Sequence, residues 1–140
     1  MYYRSQPISK NKLRIRHMVK GIGVDLVEIK RIADIMDTSG EKFLNKLFTE
    51  GEISRSSKRK GGKAEYYATL FAAKESILKA FGVGWGGRGT DIEIKRNRLG
   101  APIVELGGGI EKLARRKGVE EVFLSLSYDS EYAVAFCVLE

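Results

Sequence analysis

From Ala64 to Phe81 apolar residues recur at helical spacing over about five turns and stop at Gly82, so this chain must be built around one long helix. On a wheel of about 100° per residue, Tyr66, Tyr67, Leu70, Phe71, Ala73, Ile77, Leu78 and Phe81 share one arc. That arc is the expected core face. The opposite side holds Ala68, Ala72, Glu75 and Lys79, two small side chains beside two charges one turn apart. Such a strip admits a close neighbour. Its plainer reading is a solvated Glu75 to Lys79 pair at i,i+4, worth only about 0.2 to 0.5 kcal/mol. Lys74 projects from the apolar arc itself, where we expect its stem to pack while its ammonium reaches an edge.

Strands are expected on both sides of this helix. After Met18, "VKGIGVDLVEI" alternates, with Ile22, Val24 and Leu26 on one face and Gly21, Gly23 and Asp25 on the other. Helical segments follow in "EIKRIADIM" and "EKFLNKLFTEGEI", the latter ending in a short helix or turn that Thr49 and Glu52 begin as a capping box. The stretch "SRSSKRKGGK" reads as a loop. Beyond the long helix come "GVGWGGRG", a strand "TDIEIKRN", a turn at Leu99 and Gly100, and a strand "PIVEL". A short helix "IEKLARRKG" leads to strands "VFLSLS" and "YAVAFCVLE", joined by a tight turn from Tyr128 to Glu131. This order predicts an α+β fold, a mainly antiparallel sheet packed against a long central helix.

The 140 residues fit one domain, expected from residue 18 to residue 140. The net charge is +7, but residues 1–17 hold Arg4, Lys10, Lys12, Arg14 and Arg16 with no acid, which leaves +2 for the rest. We read this leader as disordered. It has no apolar middle as in a secretory signal, and its composition is that of a transit peptide without the length or periodicity. A start codon placed upstream of a natural Met18 gives the same pattern. His17, the only histidine, lies there and receives no catalytic or metal role. A lone Cys137 in an apolar run leaves no intrachain disulfide and no thiol cluster for zinc, which fits a small core residue in a reducing compartment. No apolar run approaches the roughly 20 residues of a membrane-spanning helix, so a soluble protein is expected.

Several motifs fail on context. Gly82, Gly84 and Gly87 satisfy G-x-G-x-x-G, but they follow a helix and precede a strand, the reverse of a dinucleotide fingerprint. Gly107 to Gly109 precede a helix, yet no G-K-[ST] accompanies them. The charged run from Arg55 to Lys63 has no interleaved aromatic residue, so nucleic-acid binding is disfavoured.

Two carboxylates stand out. Asp25 lies mid-strand between same-face glycines, and Glu75 lies on a helical strip cleared by alanines. If they approach each other, their repulsion has to be relieved by a cation. Mg²⁺ suits such a pair, since it is commonly held by one or two carboxylates plus substrate phosphates. Lys79 would then reach phosphate oxygens. The residues alone leave open that Asp25 bonds backbone amides or terminates its strand.

"GIGVDLVEIKRI", "FTEGEI", "LFAAKESILKAFG" and "LSLSYDSEYAVAFCVLE" resemble, in this order and spacing, the holo-acyl carrier protein synthase family of phosphopantetheinyl transferases, from Met18 to the end. The resemblance implies a cytoplasmic enzyme that moves the 4′-phosphopantetheine arm of coenzyme A onto a serine of an acyl carrier protein and releases adenosine 3′,5′-bisphosphate. It implies Asp25 and Glu75 as Mg²⁺ ligands, Lys79 as a pyrophosphate contact, and Lys79, Gly82 and Tyr128 as positions beside coenzyme A. Arg31 matches a position that meets the acidic carrier protein. A homotrimer with coenzyme A in clefts between subunits is implied as well.

Two departures from the family pattern matter. Leu70 stands where an arginine is usual, and Tyr128 stands where a histidine is usual, both at positions that help bind coenzyme A phosphates. Tyrosine can still donate a hydrogen bond, but neither residue brings positive charge. The work could pass to Arg88 or to the Arg55 to Lys63 stretch. The alternatives are a non-catalytic homologue that binds coenzyme A or a carrier protein, or a basic nucleic-acid-binding module.

Overall fold

The computed structural model describes residues 18–140; the basic leader and His17 lie outside the described residues. Strand β1 (Gly21–Glu28) runs directly into helix α1 (Ile29–Leu47), which breaks at Gly40, a residue held at φ 46 and ψ −130. The break falls between the two expected helical segments, which adjoin within α1. Helix α2 (Glu50–Ser57) starts at the expected capping box, with Thr49 and Glu52 each accepting the other's backbone N–H. It continues through Ser54 to Ser57, so only residues 58–62 of the expected loop connect it to the long helix α3 (Lys63–Phe81). Gly82 caps α3 at φ 73.

A 3-10 turn at Gly89–Asp91 leads to the hairpin β2 (Ile92–Arg96) and β3 (Pro102–Leu106), then α4 (Gly108–Lys117), β4 (Val122–Tyr128) and β5 (Tyr132–Leu139). Every pairing is antiparallel, in a three-stranded sheet of order β1-β5-β4 and the separate hairpin. The fold is the expected α+β arrangement, with α3 lying against the sheet.

Close packing of α3 on β1 decides which of the strand's two faces is the inner one. At Gly21 and Gly23 an added β-carbon would lie 2.1 Å from the Ala80 oxygen and 1.9 Å from the Ser76 oxygen, so only glycine lets the strand backbone sit this near the helix. The glycine and Asp25 face of β1 is thus the inner one. Ile22, Val24 and Leu26 point outward and stay more than half exposed. Small residues fill this layer: Ala68 and Ala72 of α3 are fully buried, as are Ala133, Ala135 and Cys137 of β5. Burial pushes the Cys137 thiol up to about 12, which makes it an inert core residue.

Helix α3 is consequently buried on nearly all sides. Ala68 and Ala72 do not share an open strip with Glu75 and Lys79; the open strip is Phe71, Glu75 and Lys79, with Phe71 and Glu75 half-buried and Lys79 exposed. Lys74 also departs from expectation, because its ammonium reaches no edge. It is fully buried and donates to Glu52 Oε2 at 2.7 Å, the Gly89 oxygen at 2.7 Å and the Leu47 oxygen at 2.9 Å. Glu52 Oε1 accepts from Ile94 N–H at 2.8 Å. One buried ion pair therefore joins α1, α2, α3, the 3-10 turn and β2.

Candidate active site

Asp25 sits in the middle of β1, opposite Ala135 of β5, and its side chain faces α3. Oδ1 accepts from Lys79 Nζ at 2.8 Å, and the same ammonium donates to the Val24 oxygen at 3.0 Å. The hydrogen bond and charge of Asp25, reinforced by Glu75, hold the Lys79 ammonium above its ordinary range. Asp25 Oδ2 is buried and has no hydrogen-bond partner among the described residues. Leaving such an oxygen unpaired costs about 1 to 3 kcal/mol, more when it is charged, so a water or a cation beside it would be stabilising.

Glu75 stands one turn before Lys79 on α3 and lines a cavity of about 390 Å³ together with Asp25, Glu28, Arg31, Phe71 and Tyr132. Its Oε1 accepts the indole N–H of Trp85. The structure thus brings Asp25, Glu75 and Lys79 together, as the resemblance implied. No group of three or more His, Cys, Asp or Glu gathers as a metal cage among the described residues. A pair of carboxylates with one orphaned oxygen fits an ion that takes few protein ligands and completes its shell with water and substrate oxygens, as Mg²⁺ does.

Arg31, in the first turns of α1, borders both this cavity and a shallow groove with Lys30, Asp34 and Thr38. It makes no ion pair among the described residues. Gly82 ends α3 three residues beyond Lys79 and is exposed.

Tyr128 lies elsewhere. It belongs to a second cavity, of about 370 Å³, lined by Arg55, Arg59, Tyr66, Leu70, Lys95 and Arg96 among others, with no acid in its lining. Arg55 is paired with Glu93 at 3.0 Å and Lys95 with Glu105 at 2.6 Å, whereas Arg59 packs over the Tyr66 ring and Arg96 donates to the Gly100 oxygen. Two cations there lack a carboxylate partner. Both departures from the family pattern, Leu70 and Tyr128, fall in this one cavity. Since β1 and β4 are the outer strands of the sheet, Asp25 and Tyr128 stand on opposite edge strands of one chain. Arg88 turns back on its own loop and donates to the Gly84 oxygen at 3.1 Å.

Two contributors escaped the reading of the sequence. Trp85 touches Glu75 from a glycine-rich segment that reads only as a connection. Lys74 and Glu52 meet although 22 residues separate them, and a lysine inside an apolar arc was their one signal.

Comparison with known proteins identifies the family and the fold. The family model described as the 4′-phosphopantetheinyl transferase superfamily matches residues 21–137. A holo-[acyl-carrier-protein] synthase of Clostridium acetobutylicum is 44% identical over 124 residues, 88% of this chain and 98% of that protein. The crystal structure of holo-[acyl-carrier-protein] synthase from Neisseria meningitidis superposes with a TM-score of 0.81 at 34% identity, covering 88% of this chain and 99% of that one. A Bacillus anthracis holo-(acyl-carrier-protein) synthase in complex with CoA (3′,5′-ADP) gives a TM-score of 0.74 at 36% identity over 88% and 97% of the two chains.

Proposed function

The chain belongs to the 4′-phosphopantetheinyl transferase superfamily, and from that premise we propose that it transfers the 4′-phosphopantetheine group of coenzyme A to a serine of an apo-acyl carrier protein. Adenosine 3′,5′-bisphosphate is the other product. The observation that carries this reading to named residues is the orphaned Asp25 Oδ2 in a cavity shared with Glu75 and beside Lys79.

In this reading Asp25 and Glu75 hold Mg²⁺, which when bound supplies charge neutralisation on the diphosphate. The serine oxygen of the carrier attacks the β-phosphorus and releases its proton to solvent, the bond from that phosphorus to the bridging oxygen breaks, and charge moves onto the departing phosphate. Lys79, kept protonated by Asp25, meets that charge. Its exposure suits the task, because substrate can reach it from solvent. Arg31, unpaired at the mouth of the cavity, meets the acidic face of the carrier protein. Gly82 presents bare backbone beyond Lys79, where the coenzyme chain can pass closely.

The second cavity is the place for the phosphorylated adenosine end of coenzyme A. Arg59 and Arg96 supply there the charge that Leu70 and Tyr128 do not, and the Tyr128 hydroxyl adds a donor. This favours an active enzyme over a homologue that has lost catalysis. One coenzyme molecule uses both cavities if a second copy provides one of them, since they belong to opposite edge strands. The outward face of β1 and β5 fits such an association: Ile22, Val24, Leu26 and Phe136 are 46% to 64% exposed. The homotrimer with coenzyme A in its clefts that the family resemblance implies is compatible with this arrangement. The cytoplasm, where a free thiol such as Cys137 persists, is its setting. No helix among the described residues is long and apolar enough to cross a membrane.

Incubation with coenzyme A, Mg²⁺ and apo-acyl carrier protein should add about 340 Da to the carrier by intact mass, the size of the transferred arm. An unchanged carrier mass with every carrier tried would count against the reaction.

A further inference from the structure

Trp85 is the chain's only tryptophan, and it stands in the glycine-rich connection between α3 and the 3-10 turn rather than in the core. Two contacts fold it back onto the helix. Its ring packs on Phe71, with centroids 5.1 Å apart, and its indole N–H donates to Glu75 Oε1. Phe71 and Glu75 are four residues apart on the open strip of α3, so ring and donor engage successive turns at once.

The connection is shaped for this return. Gly86 and Gly87 take φ of 46 and 78, values that side chains other than glycine rarely adopt. At Gly89 an added β-carbon would lie 2.8 Å from Trp85 Cζ3 and 2.7 Å from the Leu47 oxygen, so the ring sits where only glycine leaves room. The Gly89 oxygen is itself fixed by the buried Lys74 ammonium at 2.7 Å. The segment carrying Trp85 is therefore anchored to the core on the far side of the indole.

A half-buried carboxylate on a helix can turn about its side-chain bonds, and a hydrogen bond to one oxygen removes that freedom. Partners of this kind commonly account for about 10- to 100-fold in metal affinity. We propose that Trp85 is a positioning residue for the metal site, its indole N–H holding Glu75 Oε1 and thereby orienting the carboxylate toward the cavity it shares with Asp25. Oε2 has no hydrogen-bond partner among the described residues and is left for the ion. The inference rests on the reading of Asp25 and Glu75 as the pair that holds Mg²⁺.

Trp85→Phe keeps an aromatic ring beside Phe71 and removes the donor together with part of the indole's bulk. With Mn²⁺ as the probe, in the presence of coenzyme A, the variant should bind about 10-fold more weakly by electron paramagnetic resonance, while its melting temperature stays close to that of the wild type. The Mg²⁺ concentration for half-maximal transfer should rise by a similar factor, with kcat recovered at saturating Mg²⁺. Wild-type Trp85 emission should be quenched saturably by Mn²⁺, and Glu75→Gln should abolish that response. Unaltered Mn²⁺ affinity in Trp85→Phe overturns the inference. If that variant does not fold, the wild-type emission decides, and no response to bound Mn²⁺ overturns it equally. A wild type that binds Mn²⁺ through Glu75 and Trp85 but transfers nothing refutes the proposed reaction and leaves the role of Trp85 standing. A wild type that binds no Mn²⁺ but transfers the arm overturns the role of Trp85 and the metal pair and leaves the reaction standing.

Discussion

Asp25 and Glu75 differ in how much of each the protein itself satisfies. Asp25 has one oxygen on Lys79 and one buried with no partner, whereas Glu75 is half-buried and held by Trp85. On the proposed reading an ion would remove the cost at Asp25 and be shared with Glu75, so neutralising the second carboxylate should not endanger the fold. Glu75→Gln keeps the shape of the side chain and an oxygen for the indole while removing the charge. Transfer in the presence of Mg²⁺ should fall by about 100-fold or more, beyond what loss of an outer partner causes, and the melting curve by circular dichroism should shift little. Activity equal to the wild type would remove Glu75 from the ligand set.

At the scale of elements, the Lys74 to Glu52 pair decides how α3 is seated. Burial lowers the Lys74 pKa and Glu52 opposes that shift, so the pair persists as an ion pair only because its hydrogen bonds are complete. Between the lowered folded value and the ordinary 10.5, the unfolded chain binds more protons, and this group's contribution to stability therefore rises with pH there. Lys74→Met leaves Glu52 charged and buried, and should cost about 3 to 5 kcal/mol in urea denaturation. Adding Glu52→Gln to it should cost less than the sum of the two single changes, since the second removes the stranded charge; strict additivity would mean the two do not act as a pair. The limits of α3, the capping box at Thr49 and the hairpin strands were legible in the sequence because each depends on neighbours within a few residues. The seat of Lys74 was not, since its acceptors come from α1, α2 and the 3-10 turn, and no local pattern brings those together. The glycines and the i,i+4 spacing singled out Asp25, Glu75 and Lys79 separately, and the family resemblance joined them as a group. Trp85 was not legible, because glycines around it conceal which way the loop turns.

For the whole molecule the informative element is β1. Alternation divides its side chains into two faces, but it does not say which is the inside, because a bare glycine face can pack on a helix as closely as an apolar face packs on a core. The glycine face is the inner one, and Ile22, Val24 and Leu26 are 62%, 54% and 64% exposed. Phe136 of β5, opposite Val24 in the register, and Phe123 of β4 are also nearly half exposed, so all three strands carry exposed apolar groups. Charged substitution at an exposed site ordinarily changes stability by less than about 0.5 kcal/mol, whereas an unpaired charge buried between subunits costs several times that. Val24→Glu should accordingly leave the circular dichroism spectrum unchanged and reduce the mass by light scattering from three chains to one. Transfer should fall with it, although Asp25, Glu75, Lys79 and Trp85 are untouched, because the cavity holding Tyr128 and Arg59 would no longer be supplied by a neighbour. A Val24→Glu protein that keeps the wild-type mass would place the interface elsewhere, and one that dissociates yet transfers at the wild-type rate would show that a single chain uses both cavities.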